Sequence, residues 1–231
     1  MSKESIDKFC GQYAFLSNFY EAPVQIFGHR FKNSEAAFQA AKCPEHMDKF
    51  CNLNPSEAKR LGRNVKIRPD WEDIKYRVMW AVCFAKFLQN TDLQERLLNT
   101  ENAHLVEGNT WGDTTWGVCN GKGQNWLGSV LESVRDVFRT HHFSQNKMYL
   151  VTDIYSKRSS TNPVHETVLL RPAYISDALP GESAEIMFLP DYDTRYHQLW
   201  TSTVLSVTPY DSGEDTVIIE TRNSRYTLQR V

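Results

Sequence analysis

The strongest constraint on this fold is a change of period near residue 144. Before it, apolar residues recur at three- and four-residue steps; after it they alternate. Side chains repeat every 3.6 residues on a helix and every two on a strand, so one pattern cannot serve both. The 231 residues suit one large domain, or one domain with a smaller appendage. The polar stretch Thr140-His141-His142-Phe143-Ser144-Gln145-Asn146 has little apolar period and places the boundary. The expected fold class is α+β. A mainly α-helical domain over 1–143 is followed by a small all-β domain over 144–231, a barrel or a sandwich. Cysteine usage divides the same way, since Cys10, Cys43, Cys51, Cys83 and Cys119 all precede residue 120.

Helix signals in the first part are explicit. Asn54-Pro55-Ser56-Glu57 sets a capping residue, a proline at the first helical position and an acid three residues after the cap. Gly62 offers a stop, giving a short helix from Pro55 to Leu61. Asp70 reads as the cap of a longer helix with Glu72 and Asp73 in its first turn, and Ile74, Val78, Val82 and Ala85 on one face. Asp92 with Glu95 opens another, and Gln124 to Arg139 presents Leu127, Val130, Leu131, Val134, Val137 and Phe138. Ser34 to Lys42 is helical in pattern, rich in alanine. In the second part, Met148–Ser156, 166–171, 184–189, 201–208, Thr216–Thr221 and 224–231 read as strands. They are separated by turn chemistry such as Leu179-Pro180-Gly181-Glu182.

Composition excludes several classes. Lys+Arg 26 against Asp+Glu 28 leaves no chain-wide basic field for nucleic acid. By count, residues 1–142 hold 18 Lys+Arg and 17 Asp+Glu, leaving 8 and 11 for the mildly acidic tail. There, Arg222, Arg225 and Arg230 are explained as well by a solvated strand face as by nucleic-acid contact. Mean hydropathy is −0.51, and no apolar run approaches the roughly 20 residues needed to span a bilayer. The N-terminus lacks a signal peptide's apolar stretch. Five cysteines without CxxC spacing point to reduced thiols in a cytoplasm, and the seven histidines show no metal-ligand spacing.

Three clusters carry possible chemistry. Tyr13-Ala14-Phe15-Leu16-Ser17-Asn18-Phe19-Tyr20 holds four aromatics around Ser17 and Asn18. That suits a wall that stacks a planar ring and hydrogen-bonds its edge, or simply a turn with buried aromatics. In Phe31 to Lys42, Glu35 opens a helix with Phe38, Gln39 and Lys42 near its face, while Ala36 and Ala37 leave room beside it. The plain alternative is a first-turn acid favoured by the helix dipole. From Trp111 to Gly128, five glycines and three tryptophans stand in eighteen residues around Asp113. Glycines let a backbone approach a ligand, and free amides at the following helix start would cradle phosphate. Glu35 and Asp113 could meet in one aromatic-walled pocket. Paired carboxylates of this kind cleave glycosidic bonds, one stabilising an oxocarbenium-like centre or activating water and the other handling a proton. A ligand-binding module without turnover is the alternative.

Together these stretches resemble the NADAR (YbiA-like) family. The matching segments are Phe15–Tyr20, Ser34–Lys42, Leu61-Gly62-Arg63, Arg68–Met79, Trp111-Gly112-Asp113 and Asn125-Trp126-Leu127-Gly128, in the family's order over about residues 9–138. The resemblance implies an N-glycosidase that cleaves the bond between a ribose anomeric carbon and an exocyclic amino nitrogen, without metal or redox cofactor. Its substrates would be phosphoribosylamino-pyrimidine intermediates of riboflavin synthesis, or guanine carrying ADP-ribose, including ADP-ribosylated nucleic acid. It implies Glu35 and Asp113 as the acidic pair and Trp71 as a stacking residue. Phe15, Asn18, Phe19, Trp111 and Asn125 complete the substrate contacts, and Lys42, Arg63, Lys75 or the Gly121–Gly128 helix start would meet phosphate. Lys42 could alternatively attack the opened sugar as an amine. Many members carry tryptophan where Phe31 stands and a histidine-tyrosine pair where Ala36 and Ala37 stand, which reads here as room for a bulkier substrate. The tail lies outside the family's core. Its partner is open, and a defence-related interaction protein is the reading from another class.

Overall fold

The computed structural model describes residues 5–140, 148–157, 172–175, 178–188, 197–208 and 216–231. They fall into two compact units, one over 1–25 and 29–142 and the other over 26–28 and 143–231. The chain is mixed α/β.

In the first unit a short strand, β1 (Ser5–Ile6), leads into a 3-10 segment, Gly11–Leu16. β2 (Val24–Ile26) and β3 (His29–Phe31) form a hairpin ahead of α1 (Ser34–Ala40). Asn33 caps α1 by accepting the Ala36 N–H at 2.8 Å. A second 3-10 segment, Pro44–Phe50, precedes α2 (Pro55–Gly62), where Asn54 and Glu57 form the expected capping box. α3 (Trp71–Gln89) is the central helix. Its residues from Val78 to Leu88 are all buried, as befits a helix covered on every side. α4 (Thr91–Leu98), β4 (His104–Leu105), β5 (Gly108–Asn109), β6 (Val118–Cys119) and α5 (Trp126–Thr140) complete the unit. β1 pairs with β4 and β5 with β6, both parallel.

The apolar stripe of α5 packs as its period predicts, with Leu127, Val130, Leu131, Val134, Val137 and Phe138 buried. Phe84 stacks between Trp80 and Phe138 at centroid distances of 5.2 and 5.1 Å, joining α3 to α5. Two helix-end expectations are corrected. Asp70 makes no capping bond; Arg68 takes its carboxylate in a two-pronged ion pair at 2.6 and 2.8 Å, which holds it below the usual carboxylate range. Gly62 is the last helical residue rather than a left-handed stop, and it is small because Gln39 lies against it.

The second unit is one seven-stranded antiparallel sheet. Its strands are β7 (Met148–Ser156), β8 (Pro172–Ile175), β9 (Glu185–Phe188), β10 (His197–Trp200), β11 (Val204–Thr208), β12 (Thr216–Thr221) and β13 (Ser224–Arg230). Their order is β10-β9-β8-β7-β13-β12-β11. Alternation sends Val217, Ile219, Tyr226 and Leu228 into a core with Tyr149, Val151 and Ile186. The run at 166–171 and the boundary stretch 141–146 lie outside the described residues. β8 and β10 had too weak a period to be read from the sequence. Arg225 pairs with Glu220 at 2.7 Å on the exposed side, the solvated-face reading of that charge.

Candidate active site

A cleft of about 1140 Å³ opens in the first unit. α1 supplies Glu35, Phe38 and Gln39, with Lys42 just past its end; α2 and its end supply Lys59, Arg60 and Arg63; α3 supplies Trp71, Lys75 and Met79. Asn18 and Phe19 close one side, and the segment from Glu107 to Trp116 closes another, with Trp111 and Asp113. The sequence-derived residues Asn18, Phe19, Glu35, Lys42, Arg63, Trp71, Trp111 and Asp113 thus line one cavity.

Glu35 is 6% exposed, and burial raises its pKa above 4.5. The hydrogen bond from Gln39 and the charges of Lys59 and Lys42 pull the other way, while Asp113 adds to the rise. Gln39 Nε2 donates to Glu35 Oε1 at 2.8 Å. Gln39 is itself wedged against Gly62, where a Cβ would stand 2.0 Å from Gln39 Oε1. The Glu35 N–H donates to the Asn18 carbonyl at 3.1 Å, which fixes the start of α1. Asp113 is held differently. Its Oδ1 accepts the N–H groups of Thr115 and Trp116 at 3.0 and 2.9 Å, and its own backbone is clamped at both N–H and C=O by the Asn109 amide.

Phe38 meets Trp71 at 5.1 Å and Trp116 edge-on at 5.2 Å, giving the cleft an aromatic floor. Trp111 is 65% exposed and Phe19 41% exposed, two large rings on the cleft lining that remain open to solvent. Lys42 sits 5.7 Å from the centroid of Trp71 and Lys59 5.4 Å from that of Phe19. Burial lowers the Lys42 pKa, and Lys59 and Arg63 add to that, against the opposing pull of Glu35. Lys75 is ion-paired with Glu72, so it is a poorer phosphate ligand than its position in the sequence implied.

Several expectations are overturned. Phe15 does not line the cleft. It is buried against Phe87 under the Arg96 guanidinium, and its carbonyl accepts from Lys86 Nζ at 2.6 Å. Asn125 is structural: its amide donates to the Leu105 carbonyl at 2.8 Å and accepts the Glu107 N–H at 3.0 Å. The start of α5 is no phosphate cradle. The N–H groups of Gln124, Asn125, Trp126 and Leu127 already donate to the carbonyls of Thr114, Gly117, Thr115 and Trp116. Gly117 serves close backbone packing, since a Cβ there would meet the Glu107 carbonyl oxygen at 2.3 Å. Ala36 and Ala37 are fully buried in the core and add no room to the cleft. The sequence reading missed Glu107, Trp116, Lys59 and Arg60. Lys59 and Arg60 line the cleft from α2, a position visible only once α2 is known to pack beside α1. Among the described residues, no group of three His, Cys, Asp or Glu could hold a metal ion, and no helix is long and apolar enough to cross a membrane.

An α/β unit with an acid-lined aromatic cleft, followed by a β-sheet segment, defines the class. The chain belongs to the NADAR family: residues 7–139 match the NADAR domain, and the C-terminal segment lies beyond it. It is 38% identical over 130 residues to the N-glycosidase YbiA of Shigella flexneri serotype 5b (strain 8401), covering 54% of this chain and 81% of that protein. It is 35% identical over 135 residues to the riboflavin biosynthesis protein VVA0006 of Vibrio vulnificus (strain YJ016), covering 56% of this chain and 36% of that protein. Among solved structures, the NMR structure of Escherichia coli YbiA is similar with a TM-score of 0.54 at 32% identity. That likeness covers 62% of this chain and 92% of the other.

Proposed function

We propose that the cleft hydrolyses the N-glycosidic bond between the anomeric carbon of a phosphorylated ribose, or of ADP-ribose, and an exocyclic amino nitrogen. The observation that carries this is the buried Glu35 sharing one cleft with the anchored Asp113. An oxocarbenium-like centre needs a fixed negative charge beside it, and Asp113 is held as one. A desolvated carboxylate is a stronger base than a solvated one, which suits Glu35 to take the proton of the attacking water. The C–N bond breaks, a C–O bond forms from water, and the amine leaves with a proton.

The cations Lys42, Lys59, Arg60 and Arg63 gather on the side of α2 and suit the phosphate or diphosphate of the sugar. Trp71 and Phe38 suit the planar base, with Trp111 at the more exposed end. The volume accommodates either substrate class, since ligand pockets run roughly 300–1,000 Å³. Catalysis is assigned to 1–143, with 144–231 as a β-rich appendage. All five cysteines are free, in keeping with a reducing, cytoplasmic setting.

The lowered pKa of Lys42 favours one second reading, in which its amine condenses with the opened sugar aldehyde and releases water. Cyanoborohydride would then trap a sugar adduct on wild type and none on Lys42→Arg. The main reading is tested by incubating the protein with a ribosylamino-pyrimidine phosphate and with ADP-ribosylated guanine DNA, followed by mass spectrometry. Released amine and free sugar are expected, with turnover lost and binding retained in Glu35→Gln. Undiminished turnover in that variant removes Glu35 from the mechanism.

A further inference from the structure

We propose that a third carboxyl group, Glu107, is the acid that protonates the leaving nitrogen. The assignment rests on the N-glycosidase reading above and adds the residue that reading lacks, a proton donor for the amine.

Glu107 reaches the cleft from the link between β4 and β5. Its backbone is fixed on both sides: the N–H donates to Asn125 Oδ1 at 3.0 Å, and the carbonyl accepts the Val118 N–H at 2.9 Å. The side chain is treated unlike those of the other two acids. Asp113 Oδ1 has two N–H donors and Glu35 Oε1 has the Gln39 amide, whereas Glu107 Oε2 is buried and has no hydrogen-bond partner among the described residues. A carboxylate oxygen buried without a donor is poorly stabilised as an anion; protonated, the same group becomes an O–H donor in need of an acceptor. An exocyclic nitrogen leaving a sugar is such an acceptor.

The charges that face Glu107 act in the same sense on balance. Asp113 from the tryptophan-rich loop and Glu35 from α1 disfavour another negative charge, whereas Lys59 from α2 and Lys86 from α3 favour it. Burial is the largest influence, and the carboxyl is pushed up to about 7. A group titrating there is about half protonated at neutral pH and gives its proton up readily, as an acid catalyst must. Each acid then has one part. As the C–N bond breaks, the Glu107 proton passes to nitrogen and yields the neutral amine. Water adds to the anomeric carbon and gives its proton to Glu35, Asp113 keeps its charge throughout, and proton exchange with solvent resets Glu107 and Glu35.

The test is turnover against pH for wild type, Glu107→Gln and Glu107→Asp in the full chain, with ribosylamino-pyrimidine phosphate and ADP-ribosylated guanine as substrates. The expected result is a kcat lower by about 10²-fold in Glu107→Gln with KM little changed, and partial recovery in Glu107→Asp. Wild-type kcat should fall as pH rises past about 7, a limb that Glu107→Gln lacks. Cleavage by Glu107→Gln with the wild-type rate and profile overturns this assignment and leaves the N-glycosidase reading standing. A wild type that returns both substrates intact overturns both. The carboxyl is also titrated without substrate by 13C NMR, the two variants identifying its resonance. A midpoint near about 7 supports the assignment, and one near the ordinary 4.5 overturns it whatever the turnover.

Discussion

The two units differ most in what they bury. Among the described residues of the NADAR unit, Glu35, Lys86 and Arg135 are buried charges, 6%, 1% and 3% exposed. Among the described residues of the β-rich unit the buried polar ones are Thr201, Thr221 and Ser224, hydroxyls without charge. A buried charge costs several kcal/mol unless it is paired, so a fold keeps one only where something depends on it. Two of the three are braces. Lys86 Nζ donates to the carbonyls of Phe15 and Ser17 at 2.6 and 2.9 Å, and Arg135 donates to Thr100 Oγ1 and the Ala103 carbonyl at 2.8 and 3.0 Å. The third, Glu35, faces the cleft. The sheet has the economy of a scaffold, with an apolar inner face and ion pairs such as Glu220 with Lys157 and Arg225 on its outside.

That contrast can be broken in graded steps. The largest effect is expected from Glu35→Gln and Asp113→Asn, each lowering turnover by about 10²–10⁴-fold while the protein stays folded, measured as kcat beside a thermal melt. Next comes Gly62→Ala. The added methyl must displace Gln39, which frees Glu35, so kcat should fall about 10–100-fold through a residue that touches no substrate. Lys86→Met should leave the buried Phe15 carbonyl without its donor and the Ser17 carbonyl with the Tyr20 N–H alone, and cost about 1–3 kcal/mol in denaturant unfolding, with looser ligand binding as the segment before Asn18 and Phe19 loses its brace. The smallest step is in the sheet. Thr221 Oγ1 donates to the Ser224 carbonyl and accepts from the Ser224 N–H and Ser202 Oγ. Thr221→Val should cost about 1–2 kcal/mol of stability and leave kcat and KM unchanged. A loss of turnover there would show that the sheet contributes to the cleft.

Stability should also carry the mark of Glu107. Its pKa is higher in the folded chain than the ordinary 4.5. Its contribution is therefore fully present below about pH 4.5 and is lost as pH rises through about 7. Glu107→Gln should then gain stability relative to wild type between those limits and hold a constant advantage above them, read from urea midpoints at a series of pH values.

What was legible in the sequence was whatever acts locally. The capping box at Asn54 and Glu57, the stripe of α5 and the alternation of β12 and β13 depend on neighbours within a turn or a pleat, and they are found as read. The acids Glu35 and Asp113 were visible because of the segments around them. What stayed hidden needed a partner distant in sequence. Gly62 reads as a stop until Gln39 is known to press on it, and Asn125 reads as a ligand contact until Leu105 and Glu107 claim its amide. The glycine-rich loop misled for the same reason: its carbonyls take up the amides at the start of α5. Glu107 is marked by nothing local, because an acid beside Gly108-Asn109 looks like any turn acid until Asp113 and Glu35 come near it.

The central claim is that this cleft adds water across a ribosyl-amine bond. It is met most directly by incubating the full chain with ribosylamino-pyrimidine phosphate and ADP-ribosylated guanine in 18O-labelled water and weighing the products. The account predicts an unlabelled free amine and a sugar carrying one 18O, formed by wild type and not by Glu35→Gln. Both substrates bound and returned intact by wild type would contradict it and leave a binding protein.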